Sequence, residues 1–272
     1  MRKLFCLLIL FQSAIGFSQT NHSVIFAPFD GSGYSNRVLP TLIHFPKGYS
    51  TAKKYPLIVF LHGTGEAGNS NGSQLANIYN SSSAGGPAYF IEHNQWPDSF
   101  YVDGKYYAPV VVSPQAPGWS TNGEQANYII RYIVNTYSID PDRIYLTGLS
   151  AGGEGIVNLA AHTNDNSATS NYTQFTVFYK PAAMVPMSQA NAASQAKANT
   201  TVADSVKAWG FGSDPADIHG TSTKYQMTYM NNAKAGFGRF TNYSGGHCCW
   251  NQFYNPKYVE TIDGESLSIY QW

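Results

Sequence analysis

Gly148-Leu-Ser150-Ala-Gly152 lies between a short β-prone run, Arg143-Ile-Tyr-Leu-Thr147, and a helix-compatible stretch at 154–161. A glycine–x–serine–x–glycine pattern gains its meaning from that context, because it stands where a strand turns sharply into a helix. Such a turn is too tight for Cβ atoms on both sides of the serine, and Oγ must stand clear at its tip. The rest of the chain therefore has to supply a sheet that carries this strand and a layer that receives this helix.

Residues 55–61, YPLIVFL, form a nearly continuous apolar run, as expected of a strand covered on both faces of a parallel sheet. They lead straight into His62-Gly-Thr-Gly65. Residues 107–113, YAPVVVS, read as a second buried strand ending at Pro114-Gln-Ala-Pro117. Residues 38–45 suit a strand too, with Pro40 expected to put it at an edge or to break its start. The polar stretch 69–87 reads as loop with a short helix near 75–79. Ala126, Ile129, Ile130 and Ile133 fall at helical spacing within 123–136. Further strands are expected at 182–186, 206–211 and 239–243, with a helix at 223–235. A polar loop spans 164–171, and 189–201 is either a short helix or a lid-like loop. Strands alternating with helices define an α/β domain with a mostly parallel central sheet and helices on both faces.

Residues 1–18 carry Arg2 and Lys3, an apolar run at 4–11, then Ala14, Gly16 and Ser18, the pattern of a cleaved export signal. The apolar run is too short to span a bilayer and no later stretch approaches the required length, so a secreted protein without a membrane anchor is expected. Residues 19–272 suffice for one substantial core and read as one catalytic domain. Formal charge is +0, and the chain has no basic cluster or stripe, which argues against nucleic-acid partners. Charged residues make up only 12% of the chain, and a neutral, tyrosine-rich surface of that kind suits carbohydrate or another neutral polymer. Export permits disulfides, yet the cysteines outside the signal are the neighbours Cys248 and Cys249. Such a pair either closes a vicinal bridge or stays as buried thiols, and two thiols are the expectation.

In sheets of this type, ligand sites gather at the carboxyl ends of the strands. Ser150, the 62–65 loop, Asp214 or Asp217, and His247 all follow candidate strands. Their order is Ser…Asp…His, the order of the α/β-hydrolases. A serine hydroxyl needs an imidazole to take its proton, and that imidazole needs an acid on its other nitrogen. His247 follows two glycines on a late loop and is the candidate base, with His219 as the alternative. His162, near the end of the nucleophile helix, suits a surface or capping role, and His62 suits a brace for its turn. Asp214 is the first candidate acid and Asp217 the alternative. Backbone N–H groups of Ala151 and of Thr64 or Gly65 are the candidate oxyanion donors. Gln115, Trp119 and Trp250 are candidate substrate-wall residues. Metal binding has no support, since neither an HExxH motif nor a close carboxylate–histidine set is present.

The segments YPLIVFLHGTGEAGN, SPQAPGW, DPDRIYLTGLSAGG and GGHCCW together resemble the secreted α/β-hydrolase esterases of the poly(3-hydroxybutyrate) depolymerase, feruloyl esterase and acetylxylan esterase-like group. The resemblance runs from about residue 38 to the end of the chain. It implies Ser150 as nucleophile, His247 as base and no cofactor. Relatives tend to read Gly-His-Asn-x-Trp where this chain has Cys248 after the histidine. They also tend to read Trp-x-Phe-His-Gly-x-x-Asp-Pro, whereas this chain has Trp209-Gly-Phe-Gly-Ser-Asp-Pro215, in which Asp214-Pro215 matches best. The family pattern ends in a further helix, so a continuation beyond Trp272, into carbohydrate-binding or secretion-sorting modules, is also expected. The activity implied is removal of feruloyl or acetyl esters from plant polysaccharide or oligosaccharide. Polyester depolymerase, serine peptidase and a noncatalytic carbohydrate-binding protein on the same fold are the alternatives.

Overall fold

A computed structural model describes residues 21–29, 38–69, 71–164 and 174–272. The expected export signal at 1–18 and positions 165–171 of the expected polar loop lie outside the described residues. In chain order the strands are β1 (Ser23–Pro28), β2 (Val38–His44), β3 (Tyr55–Leu61), β4 (Phe100–Val102), β5 (Lys105–Tyr107), β6 (Val110–Pro114), β7 (Ile139–Leu149), β8 (Ala183–Met187), β9 (Lys207–Gly212), β10 (Gly238–Asn242), β11 (Glu260–Ile262) and β12 (Glu265–Leu267). The helices are α1 (Ala76–Tyr79), α2 (Gly86–Glu92), α3 (Gly123–Thr136), α4 (Ala151–Ala160), α5 (Gln195–Ala203), α6 (Ile218–Ala233) and α7 (Asn251–Tyr254).

Eight strands build the central sheet in the order β1-β2-β6-β3-β7-β8-β9-β10. Strands β1 and β2 pair antiparallel, as do β2 and β6, and every pair from β6 to β10 is parallel. This is the α/β-hydrolase fold. All seven residues of β3 are buried, which explains why its sequence is continuously apolar rather than alternating. Its side chains still divide by face. Leu57, Val59 and Leu61 join Ile129, Ile133, Ile156 and Val157 from α3 and α4, whereas Phe60 packs with Trp209, Phe211, Phe253 and Tyr254. Both layers are needed to keep the central strands dry.

Local chemistry sets several boundaries. Asn122 begins α3 with a capping box, its side chain accepting from Gln125 N–H while the Gln125 side chain accepts from Asn122 N–H. Pro40, expected at an edge, sits inside β2 between two partner strands. It is tolerated because it lies past the last β2–β6 pair, Thr41–Pro114, where its carbonyl accepts from Gln115 N–H. Tyr107 belongs to the separate β4–β5 hairpin and not to the buried strand, which begins at Val110. The 189–201 stretch resolves into a loop followed by α5, capped by Ser194 and packed beside α6 and α4. It is therefore part of the helical layer.

Candidate active site

Ser150 follows the last residue of β7 and caps the start of α4 with φ +52° and ψ −119°, a conformation that residues bearing Cβ adopt only under constraint. The constraint comes from three sides. Ser150 N–H donates to Met187 O at 2.8 Å, and Ser150 O accepts from Glu154 N–H and Ala190 N–H, each at 3.0 Å. The flanking glycines are required sterically. A Cβ on Gly152 would lie 1.9 Å from Leu61 O, and one on Gly148 would lie 2.5 Å from Gly152 O. The elbow thus wedges directly against the end of β3.

His247 arrives from the loop after β10, its Nε2 accepting from Ser150 Oγ at 3.0 Å. Its Nδ1–H donates to Asp217 Oδ2, also at 3.0 Å. Asp217 is buried, with its side chain 3% exposed, and it is also the N-cap of α6. Its Oδ1 accepts from His219 N–H at 3.0 Å and its Oδ2 from Gly220 N–H at 3.1 Å. Burial works to raise this carboxyl, but hydrogen bonds from His247, Ser188 and His219 N–H hold it below its ordinary range.

Of the two candidate carboxylates, the structure brings Asp217, and not Asp214, to His247. Asp214 lies two residues past the end of β9 and is bonded to Asn242, Thr221 and Lys224. Asn242 clamps its backbone, accepting from Asp214 N–H at 2.8 Å and donating to Asp214 O at 3.0 Å. Its carboxylate takes Thr221 Oγ1 at 2.7 Å and Lys224 Nζ at 2.6 Å, and those bonds lower its pKa. His219 is not on the serine either. Its ring lies 4.9 Å from that of His247, and burial followed by the neighbouring imidazole lowers its pKa.

On the opposite side, the loop after β3 packs onto the elbow, where a Cβ on Gly63 would lie 2.6 Å from Leu149 Cδ1. Residues Thr64–Glu66 form one 3₁₀ turn, whose first donor is Glu66 N–H to Gly63 O at 3.2 Å. The N–H groups of Thr64 and Gly65 precede that donor, and that of Ala151 precedes the first donor of α4, so neither turn uses them. His62 braces this loop. Its Nε2 accepts from Ala116 N–H at 3.0 Å, so the proton sits on Nδ1 and is donated to Gly63 O at 2.6 Å. Burial lowers its pKa, which keeps the ring neutral. Glu66 is buried in the same turn, accepts from Ser81 Oγ at 3.3 Å, and is pushed up to about 7 by that burial.

The three candidate wall residues separate. Gln115 is fully buried, its Nε2 donating to Glu66 O at 3.0 Å and Gln74 O at 2.7 Å, so it ties the loop together and does not reach the cleft. Trp250 is buried beside His247, edge-on to its ring at 4.9 Å, with Nε1 donating to Ser188 Oγ at 3.3 Å. Trp119 is 56% exposed and its Nε1 donates to Glu154, one turn along α4 from Ser150. The structure adds Ser188 and Tyr243, the residues bonded to Trp250 and to the His247 loop, which have no local sequence signature. It also corrects the cysteines, for Cys248 and Cys249 are joined as a vicinal disulfide. A cavity of about 230 Å³ lined by Ile58, Tyr145, Val185 and Tyr270 lies elsewhere, toward the start of the central strands, and contains none of the residues assembled here.

No family model matches the chain. Among solved structures it is similar to a thermostable esterase, with 22% identity over 82% of this chain and 54% of that one, at a TM-score of 0.54. A ferulic acid esterase matches with 18% identity over 87% and 94% of the two chains, at 0.55. Esterase 2 of Thermogutta terrifontis matches with 15% identity over 84% of each chain, at 0.54. The chain spans about half the length of the thermostable esterase. At these identities the likeness is one of fold.

Proposed function

We propose that the chain is a secreted serine carboxylic-ester hydrolase whose nucleophile, base and acid are Ser150, His247 and Asp217. The observation that carries this reading is the relay itself: Ser150 Oγ, both nitrogens of His247 and the Asp217 carboxylate in line at 3.0 Å per step. A strained serine, an imidazole on its hydroxyl and a buried acid on the imidazole is the arrangement nucleophilic acyl transfer requires.

Ser150 Oγ bonds to the ester carbonyl carbon as its proton passes to His247 Nε2. The carbonyl oxygen takes negative charge and rests on N–H groups of Ala151 and of Thr64 or Gly65. Collapse breaks the bond to the alcohol oxygen, which leaves with the proton from His247. Water then attacks the acyl-serine, giving its proton to His247, and the carboxylic acid departs as Ser150 is re-protonated. Asp217 holds the tautomer throughout and stabilises the imidazolium.

For the substrate, feruloyl or acetyl esters on plant polysaccharide or oligosaccharide suit the sparsely charged chain and the exposed indole of Trp119 next to the elbow. The ferulic acid esterase among the similar structures is consistent with that choice. The expected export signal at residues 1–18 supports secretion. The test is hydrolysis of p-nitrophenyl acetate by the chain and by Ser150→Ala, followed by methyl ferulate, acetylated xylan, polyhydroxybutyrate and a peptide panel. Unchanged turnover in Ser150→Ala would contradict the mechanism, and preference for the polyester or a peptide would contradict the substrate.

A further inference from the structure

His247 depends on its loop for its aim. Gly245 (φ +150°) and Gly246 (φ +74°) precede it, so the backbone on that side is the freest a chain can offer. Gly246 N–H donates to Ser213 Oγ at 3.1 Å, and Tyr243 OH donates to Cys248 O at 3.0 Å. Cys248 N–H donates to Gly246 O at 3.0 Å, closing a tight turn around the histidine. On the far side the next residues are the bridged Cys248 and Cys249, and only then comes Trp250, buried and bonded to Ser188. Cys249 holds φ +70°, a left-handed conformation that a residue with a Cβ keeps only where its surroundings impose it. The bridge thus occupies the gap between the imidazole and its first buried anchor.

A disulfide between neighbours closes almost no loop, so it removes little entropy from the unfolded chain. Its effect is confined to the backbone it spans. Cys249 is exposed and Cys248 half-buried, so a reductant in solution can reach the pair.

We propose that the Cys248–Cys249 bridge is a positioning element for His247, locking the peptide that follows the base so that the ring meets Ser150 and Asp217 together. The inference rests on the reading of Ser150, His247 and Asp217 given above. A phosphine reverses the lock. The S–S bond breaks, water supplies two protons for two S–H bonds, and the phosphine takes the oxygen as its oxide. Cys249 is then free to leave its left-handed conformation, and His247 loses its alignment.

The experiment compares untreated chain, chain reduced with tris(2-carboxyethyl)phosphine, and a Cys248→Ser/Cys249→Ser double variant, assayed on p-nitrophenyl acetate with Ser150→Ala as the blank. Reduction is expected to expose two additional thiols and to lower kcat about tenfold, as sub-ångström misalignment of a reacting group does, while KM stays within about twofold. Melting temperature is expected to stay within about 2 °C, since the bridge closes so short a loop. The double variant should match the reduced chain and ignore the phosphine. Unchanged kcat once both thiols are freed overturns the proposal, as does finding both thiols free before treatment. A fall in melting temperature large enough to explain the lost activity overturns it as well, by marking a structural staple. Equal turnover by Ser150→Ala and the untreated chain is a separate result, which removes the catalytic reading itself.

Discussion

Asp217 Oδ2 lies 3.0 Å from His247 Nδ1 and 3.1 Å from Gly220 N, so one carboxylate both holds the His247 ring and caps α6. The two roles can be separated. Asparagine keeps one of the two cap acceptors, and with its amide nitrogen toward His247 it reverses the imidazole tautomer. Asp217→Asn should therefore lower kcat about 10⁴-fold with little loss of stability, whereas Asp217→Ala should add about 1 kcal/mol of destabilisation. Asp214→Asn should leave kcat within about threefold, because its carboxylate faces Thr221 and Lys224. Steady-state kinetics and denaturant melts on the three variants decide this. Equal losses in Asp214→Asn and Asp217→Asn would contradict the assignment.

The elbow makes a prediction about stability. Gly152→Ala forces a methyl group to within 1.9 Å of Leu61 O, where the nearest atom is backbone and cannot rotate away. A cost of about 2–4 kcal/mol is expected, in the range of severe overpacking. Gly65→Ala is the control, since its Cβ would meet nothing within 4 Å. Its unfolding free energy should stay within about 0.5 kcal/mol of the parent.

Glu66 makes stability depend on pH. Burial raises its carboxyl from 4.5 to about 7, so the folded chain keeps a proton that the unfolded chain gives up. The stability tied to that proton is fully present below about pH 4.5 and is lost as pH rises through about 7. Glu66→Gln has no such loss. It should match the parent near pH 5 and exceed it by about 1–3 kcal/mol near pH 8, measured by urea unfolding at both values. A difference that does not grow with pH would contradict the account.

Trp119 bears on the substrate. If its exposed indole supports the sugar or aryl part of the ester, Trp119→Ala should raise KM for feruloylated oligosaccharide about three- to tenfold and leave p-nitrophenyl acetate nearly unaffected. Equal effects on both substrates would place the indole in the structure of the elbow instead.

The elbow at Ser150 was legible because steric need and sequence coincide: Gly148 and Gly152 stand where no Cβ fits, between a strand and a helix. The continuous apolar run of β3 was equally plain, since burial on both faces leaves few other residue types. Which carboxylate meets His247 was not legible. Choosing between Asp214 and Asp217 requires knowing where α6 begins, and the exposed Ile218 in its first turn hides the apolar period that would mark it. Helix α2 was masked in the same way by Gly85-Gly86-Pro87, which reads as loop although proline suits a first turn. Gln115 reads as a candidate substrate wall in the sequence because its partners, the carbonyls of Glu66 and Gln74, are far from it along the chain. The state of Cys248 and Cys249 turns on the left-handed backbone of Cys249, which has no signature in residue type.

The central claim is that Ser150 is a nucleophile activated through His247 and Asp217. Reaction with a fluorophosphonate, followed by intact mass and peptide mapping, addresses it most directly. The account predicts one adduct per chain on the peptide containing Ser150, absent in Ser150→Ala and formed far more slowly in Asp217→Asn. No adduct, or an adduct on another residue at a similar rate, would contradict it.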